Sequence, residues 1–182
     1  MRAFVAMEIS DEVRSALVRA QQELARSPAK VKWVAPQNIH LTLKFLGEID
    51  AETVGPVKAA LAEAAGGGPV AFTVEGLGAF PPRGAPRVVW AGVSRGADPI
   101  ARVQAALERA FRPLGFQAER RFVPHLTLGR VKSRQGADEL RSALERRAGT
   151  GFGACTAAEV VLFESTLTPQ GAIYTVAARQ LL

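Results

Sequence analysis

The chain has 182 residues, 48% of them apolar and 22% charged, which is typical of a globular protein and excludes a fibrous or disordered one. This length predicts a single domain, residues 1–182, with room for two lobes. Lys and Arg outnumber Asp and Glu by 23 to 17, and most of the basic residues are arginine, whose planar guanidinium suits phosphate, so the charge favours a polyanionic partner such as nucleic acid.

The sequence has no apolar run of membrane-spanning length, and its first residues lack the apolar stretch of a signal peptide. We therefore expect a cytoplasmic protein without a membrane partner, and a monomer. A single cysteine cannot form an internal disulfide or a multi-cysteine metal site, so we expect Cys155 to be a small buried residue.

The first elements along the chain alternate between strand and helix. "RAFVAMEI" predicts a strand, and Ser10 or Asp11 can cap a helix that runs to about Arg26. "VKWV" and "NIHLTLKFLG" are extended. "DAETVGPVKAALAEAA" predicts a second helix, which begins at the N-cap Asp50 and stops at glycines 66–68.

The second part of the chain follows a similar order. "VAFTVEGLGAF" and "PRVVWAGV" predict two strands joined by the turn "PPRGAP", and Asp98 begins a third helix, "DPIARVQAALERAFRPL". "RRFVPHLTLGRV" predicts a strand and "GADELRSALERRA" a fourth helix. "AAEVVLFESTL" and "AIYTVAARQ" predict a closing hairpin with its turn at Pro169, Gln170 and Gly171.

Helices separated by pairs of strands indicate an α+β fold, in which antiparallel sheets are covered by helices on one side. The near-repetition of the element order suggests an internal duplication.

The two histidines of the chain each begin the same tetrapeptide, HLTL, at residues 40–43 and 125–128. Side chains alternate between the faces of a strand, so His40 and Thr42 share one face, as do His125 and Thr127, while the leucines anchor each strand in a core. If the two strands lie side by side about an approximate two-fold axis, two imidazoles and two hydroxyls meet in one small space.

Two histidines that face one phosphodiester can act as base and acid, because histidine titrates near neutral pH and each role contributes roughly 10²- to 10⁴-fold to a rate. The hydroxyls of Thr42 and Thr127 can donate hydrogen bonds to the non-bridging oxygens, and Arg130 can offset their charge. The scheme requires neither a metal nor another cofactor.

Three other interpretations compete. A single histidine on an apolar strand is usually structural, but two identical motifs that use both histidines favour function. A catalytic zinc usually takes three protein ligands, and Glu48, Asp50 and Glu119 lack ligand spacing. No serine lies in a sequence motif typical of nucleophilic catalysis, and Cys155 has no evident base.

Arg130 lies five positions after His125, so strict alternation would place it on the opposite face. A bulge or strand end at Gly129 would return it to the face of His125. Lys44 has the parity of His40 and Thr42, with solvent as its alternative environment.

Some aromatic and basic side chains are weaker candidates for nucleic-acid contacts. Trp33, Phe4 and Phe122 could stack a nucleic-acid base, although core positions are the simpler interpretation. The candidates for a basic rim are Arg83, Arg120 and Arg121.

The paired motifs, in "HLTLKFLGEI" and "PHLTLGRVK", resemble those of the two-histidine phosphoesterase superfamily, and more closely the bacterial and archaeal RNA 2',3'-cyclic phosphodiesterases, historically called 2'-5' RNA ligases. The resemblance extends over the whole chain through "RAFVAMEI", "VKWVAPQNIHLTLKFLGE", "FPPRGAPRVVWAGV" and "VVLFESTLTPQGAIYTV".

This resemblance implies a bilobal α+β fold with two antiparallel sheets flanked by helices and a pseudo-two-fold axis through a central basic cleft. It implies metal-independent hydrolysis of an RNA terminal 2',3'-cyclic phosphate to a 2'-phosphate, with tRNA fragments as one candidate substrate. His40 would be the proton donor and His125 the proton acceptor, while Thr42 and Thr127 would contact phosphate. A weak reverse ligation could share the site.

Two alternatives stay open at this point. A phosphodiesterase acting on a small cyclic nucleotide or a 2'-5' oligonucleotide would use the same four residues. A non-catalytic RNA-binding protein would keep the basic cleft, although binding alone does not require two imidazoles.

Overall fold

Nine strands and four helices form the computed structural model, which describes residues 1–182. Ser10 and Asp50 cap the first two helices, because each side chain accepts a hydrogen bond from the backbone N–H three residues later, as expected for N-cap residues. The strands are β1 (Arg2–Met7), β2 (Val31–Trp33), β3 (Leu41–Glu48), β4 (Val70–Phe80), β5 (Val88–Arg95), β6 (His125–Val131), β7 (Gly151–Ala157), β8 (Glu159–Thr168) and β9 (Gly171–Leu181), and the helices are α1 (Asp11–Leu24), α2 (Ala51–Ala64), α3 (Ala97–Phe111) and α4 (Ala137–Glu145).

All the strands belong to one antiparallel sheet with the order β7-β4-β5-β6-β3-β1-β8-β9, and β2 pairs with the free part of β6. At the centre, the ladder between β3 and β6 contains one residue pair, Leu41 and Leu126. The two sheets expected from the sequence are therefore two halves of one sheet, one with β3, β1, β8 and β9 and the other with β7, β4, β5, β6 and β2, joined through this single pair. The α+β class is confirmed.

The helices cover one face of the sheet. Two of them, α1 and α3, each pack on the half of the sheet that does not contain the strand before them. Helix α1 follows β1 but packs on β7 and α4, whereas α3 follows β5 but packs on β3 and α2. Each half of the sheet is thus covered partly by a helix from the other half of the chain. None of the helices has both the length and the apolar character needed to cross a membrane.

The core lies between the helices and the sheet and includes a cluster of 36 buried apolar residues. All four leucines of the HLTL motifs are in it, as their alternation with His and Thr predicts. Cys155 is also buried there.

The sequence did not predict β7, "GFGACTA". Its small residues carry little strand propensity, and the strand forms because it pairs with β4 along its length and buries Phe152, Cys155 and Ala157. The closing hairpin is confirmed, with Thr168 opposite Gly171 and Pro169 and Gln170 in the turn.

Candidate active site

The face of the sheet opposite the helices carries both motifs. The leucine pair that joins β3 to β6 directly follows His40 in one strand and His125 in the other. In that antiparallel register His40 is opposite Thr127, and Thr42 is opposite His125, on the face away from the leucines. The structure therefore brings together the four residues expected from the sequence, all of them half-buried.

A backbone carbonyl two residues before it orients His125. His125 Nδ1 lies 2.7 Å from the carbonyl oxygen of Val123, and because a carbonyl only accepts, Nδ1 carries the proton and Nε2 is left to face the cleft. The carbonyl of Asn38, two residues before His40, raises the pKa of that ring. His40 Nε2 lies 2.9 Å from Thr42 Oγ1, which holds ring and hydroxyl side by side.

The two histidines differ in their surroundings. The pKa of His40 is lowered from 6.5 to about 4, mainly by burial and also by Arg14, whereas the Asn38 carbonyl and Glu8 act in the opposite direction. The free protein therefore holds His40 as a neutral imidazole at neutral pH.

The second motif contains a β-bulge. Trp90 of β5 lies opposite Thr127, but the next residue, Val89, lies opposite Gly129, so Leu128 has no partner in the ladder. Leu128 and Gly129 are consecutive buried residues, which shifts the alternation by one position.

Because of this bulge, Arg130 returns to the face of His125 and Thr127. Its charge lowers the pKa of Tyr174 on β9, against the larger raising effect of burial. Three strands separate β6 from β9 in the sheet, so the sheet curls and Arg130 faces a cleft between its halves. The bulge considered from the sequence at Gly129 is present.

The first motif has the same bulge at the equivalent place. Thr42 is opposite Ala6 and Lys44 is opposite Val5, which leaves Leu43 without a partner. Residue 45, the counterpart of Arg130, is a phenylalanine that is 63% exposed. The duplication therefore includes the bulge, but the two copies differ in the side chain that it presents.

The parity prediction for Lys44 was wrong because the bulge moves this side chain to the buried face. Lys44 is 3% exposed, donates to both carboxylate oxygens of Glu108 on α3 at 3.0 and 2.9 Å, and donates to the carbonyl of Gln117. Glu108 also accepts from Gln104 at 2.8 Å. Lys44 thus anchors β3 to α3 and does not line the cleft.

A buried glutamine supports the second bulge. Gln21 of α1 donates from Nε2 to the carbonyls of Leu128 and Val34, each at 2.9 Å. The carbonyl of Leu128 also accepts from the backbone N–H of Val34. The side-chain amide therefore holds the bulge at the residue where alternation fails.

Aromatic rings surround His40. Phe4 stacks on the imidazole with ring centres 4.8 Å apart, and the edge of Tyr174 approaches it at 5.4 Å. Phe80 approaches His125 edge-on at 5.1 Å. Tyr174 and Phe80 were not predicted from the sequence. Once the two motif strands are known to lie at the centre of the sheet, alternation of side chains along the strands of Tyr174 and Phe80 could place both rings on the face of the histidines.

The other aromatic candidates for base stacking take different places. Phe4 is buried beneath His40, and Trp33 and Phe122 pack against the core. Arg83, Arg120 and Arg121 are exposed on loops. No group of three or more His, Cys, Asp and Glu side chains is placed to hold a metal ion.

Comparison with known proteins identifies the fold and family. Two successive segments, residues 7–90 and 92–174, match the family described as LigT like Phosphoesterase, and each segment contains one HLTL motif. The chain is 35% identical over 176 residues to the RNA 2',3'-cyclic phosphodiesterase of Methanothermobacter thermautotrophicus, covering 96% of this chain and 95% of that one. The protein of the same name from Thermotoga maritima is 34% identical, with 97% and 92% covered.

Solved structures agree with this assignment. TT0787 of Thermus thermophilus superposes with a TM-score of 0.83 at 31% identity, covering 98% of this chain and 96% of that one. E. coli LigT complexed with 3'-AMP gives a TM-score of 0.78 at 26% identity, with 100% and 97% covered. The protein therefore belongs to the LigT-like phosphoesterase family.

Proposed function

We propose that this protein hydrolyses the 2',3'-cyclic phosphate at the end of an RNA chain and leaves a 2'-phosphomonoester, without a metal ion. The observation that carries the proposal is the convergence of two histidine–threonine pairs on one face of the sheet, around the Leu41–Leu126 junction. The names of the relatives support the substrate class.

In this reaction the oxygen of a water molecule bonds to phosphorus while the bond between phosphorus and the 3' oxygen breaks. His125 takes a proton from the water, a role that suits an imidazole whose Nδ1 proton is already bound by the carbonyl of Val123. His40 gives a proton to the departing 3' oxygen. Thr42, Thr127 and Arg130 hold the non-bridging oxygens and stabilise the charge that develops on them.

The low pKa of His40 requires the substrate to take part in charging this acid. Desolvation is the main cause of the low pKa, and a phosphodiester anion beside the ring favours the charged imidazolium. His40 therefore gains its proton when the substrate is bound.

If the 5'-hydroxyl of a second RNA takes the place of the water, the same residues form a 2'-5' phosphodiester while the bond between phosphorus and the 3' oxygen breaks, so we infer a weak 2'-5' ligation as a side reaction of the hydrolase. We place the enzyme in the cytoplasm as a monomer acting on RNA ends.

A direct test uses a short RNA ending in a 2',3'-cyclic phosphate, incubated in EDTA with the wild type, His40→Asn and His125→Asn. The wild type should release a 2'-phosphate, and each variant should be slower by roughly 10²- to 10⁴-fold, the usual contribution of one acid or base. Circular dichroism checks that the variants are folded. Wild-type activity that disappears in EDTA, or a variant that keeps full activity, would contradict the proposal.

A further inference from the structure

Four basic side chains extend from the candidate active site along β2 and β6. In the ladder between these strands Lys32 lies opposite Arg130. Two residues further along each strand, the backbone N–H of Lys132 donates to the carbonyl of Lys30. Residues that lie opposite in an antiparallel ladder share a face, and so do residues two apart on one strand. Lys30, Lys32, Arg130 and Lys132, here called the basic strip, therefore share the face of the cleft.

The basic strip is unfavourable for the protein alone. Like charges directly opposite on neighbouring strands repel each other, and the strip contains two such pairs. All four side chains are exposed, and the salt bridges of the structure involve Arg14, Lys44, Arg147 and Arg179 as their basic partners. None of the four side chains of the strip forms a salt bridge, so all four are available to negative charge on a ligand.

The strip also leads away from the reaction centre. Arg130 lies at its inner end beside Thr127, and the two lysines of its outer end lie at least two residues, roughly 6.6 Å, further along the strands. A surface cavity of about 370 Å³ continues from Lys132, with Arg87 and Arg134 in its lining. A cyclic mononucleotide offers one phosphate to Arg130 and the threonines and leaves the outer lysines without a partner.

We propose that the basic strip binds the backbone phosphates upstream of the RNA end, so that the enzyme selects RNA chains over cyclic mononucleotides. The inference rests on the proposed function, because it takes the terminal phosphate to lie at His40 and His125. Lys32 contacts the first upstream phosphate, and Lys30 and Lys132 contact the following ones. The strip recognises the repeated negative charge of the RNA backbone and does not recognise the bases.

The test compares the wild type with the strip variant Lys30→Gln/Lys32→Gln/Lys132→Gln. Its matched control is Lys58→Gln/Arg102→Gln/Arg146→Gln, which removes the same charge from exposed positions in or next to the helices. The value of kcat/KM is measured for a mononucleoside 2',3'-cyclic phosphate and for a tetranucleotide with the same 3' end, at several salt concentrations. Binding of the 2'-phosphate products is measured in parallel by fluorescence anisotropy, so that the strip is tested apart from turnover.

We expect the wild type and the control to prefer the tetranucleotide. The ratio of kcat/KM for the tetranucleotide to that for the mononucleotide should be at least about tenfold smaller in the strip variant. The salt slope of log kcat/KM for the tetranucleotide should fall by about 2 in the strip variant, at about 0.7 for each lost phosphate contact on single strands. The strip variant should also melt at a higher temperature than the wild type at low salt, because repulsion is relieved.

Equal preference in the strip variant and the control, or a wild type that does not discriminate by length, would overturn the inference and leave the proposed hydrolysis standing. If the wild type binds the tetranucleotide product in a strip-dependent way but hydrolyses neither substrate, the strip is supported and the proposed function fails.

Discussion

At the scale of single residues, the two copies of one motif have acquired different surroundings. His40 lies against Phe4 and Tyr174, and burial lowers its pKa to about 4. Phe80, which approaches edge-on, is the one aromatic ring in contact with His125, and the exposed Val123 lies two residues before this histidine. Two imidazoles with different environments can take the separate roles of acid and base, which two equivalent ones could not do as well.

The titration of His40 gives a prediction at this scale. In the free protein its Cε1 proton resonance should titrate near pH 4, and saturation with a nucleoside 2'-phosphate should raise that pKa by roughly 1 to 3 units, because an anion favours the charged ring. With two histidines in the chain, a His125→Gln variant assigns the NMR signals. A pKa that stays near 4 in the complex would exclude His40 as the proton donor.

At the scale of elements, a matching bulge in β3 and β6 decides which side chains reach the cleft. It turns Lys44 inward to Glu108 and leaves Phe45 outside. In β6 it turns Gly129 inward, where an added Cβ would lie 2.6 Å from Val31 Cγ1 and 2.8 Å from Trp33 Cε3. Glycine is thus required for β2 to approach β6, and the approach places Lys32 beside Arg130.

Gln21 should act on the substrate through this bulge, as a positioning residue. Gln21→Met removes the two hydrogen bonds to Leu128 and Val34, so Arg130 loses its fixed direction, and KM should rise several-fold with a smaller change in kcat.

Arg130→Gln should raise KM by about 10- to 100-fold, since a hydrogen bond to a charged group contributes about 1.5–3 kcal/mol.

The double variant separates positioning from a general loss of structure. If Gln21 works through Arg130, then Gln21→Met should add little to KM in the Arg130→Gln background. The neighbouring Gln22 is exposed, and Gln22→Met is the control. Effects of the two substitutions that simply multiply would show that Gln21 has no link to Arg130.

At the scale of the whole molecule, the halves of the sheet depend on each other. One residue pair joins them directly, but α1 and α3 each cross to cover the opposite half. Arg147, just after α4, also forms an ion pair with Glu23 of α1 at 2.6 Å. Each half of the sheet is therefore covered in part by a helix that follows a strand of the other half.

This exchange predicts one cooperative unfolding transition in urea. Trp33 and Trp90 both lie in the half that contains β5 and β6, so their fluorescence reports on that half, whereas far-ultraviolet circular dichroism reports on the whole chain. The two curves should coincide, as expected for two-state unfolding. Two separated midpoints would show that the halves fold independently.

Local patterns in the sequence were sufficient for much of this description. Alternation of apolar and polar residues predicted the strands and placed each His and Thr opposite the leucines, and the cap residues predicted where α1 and α2 begin. The repeated HLTL indicated one site built from two strands. These features depend on neighbours in the chain, and the sequence alone therefore determines them.

Other features depend on contacts between distant residues, so only the tertiary structure decided them. Strand β7 exists because β4 offers it hydrogen bonds, and the bulges exist because Glu108 and Gln21, on other elements, satisfy the groups that they displace. The opposite fates of Lys44 and Arg130, at unequal distances from their histidines, follow from those bulges. Likewise the pKa of His40 reflects burial by β1, β8 and β9, and the basic strip reflects the register of β2 on β6: packing brings these groups together, and packing is the information that a linear pattern lacks.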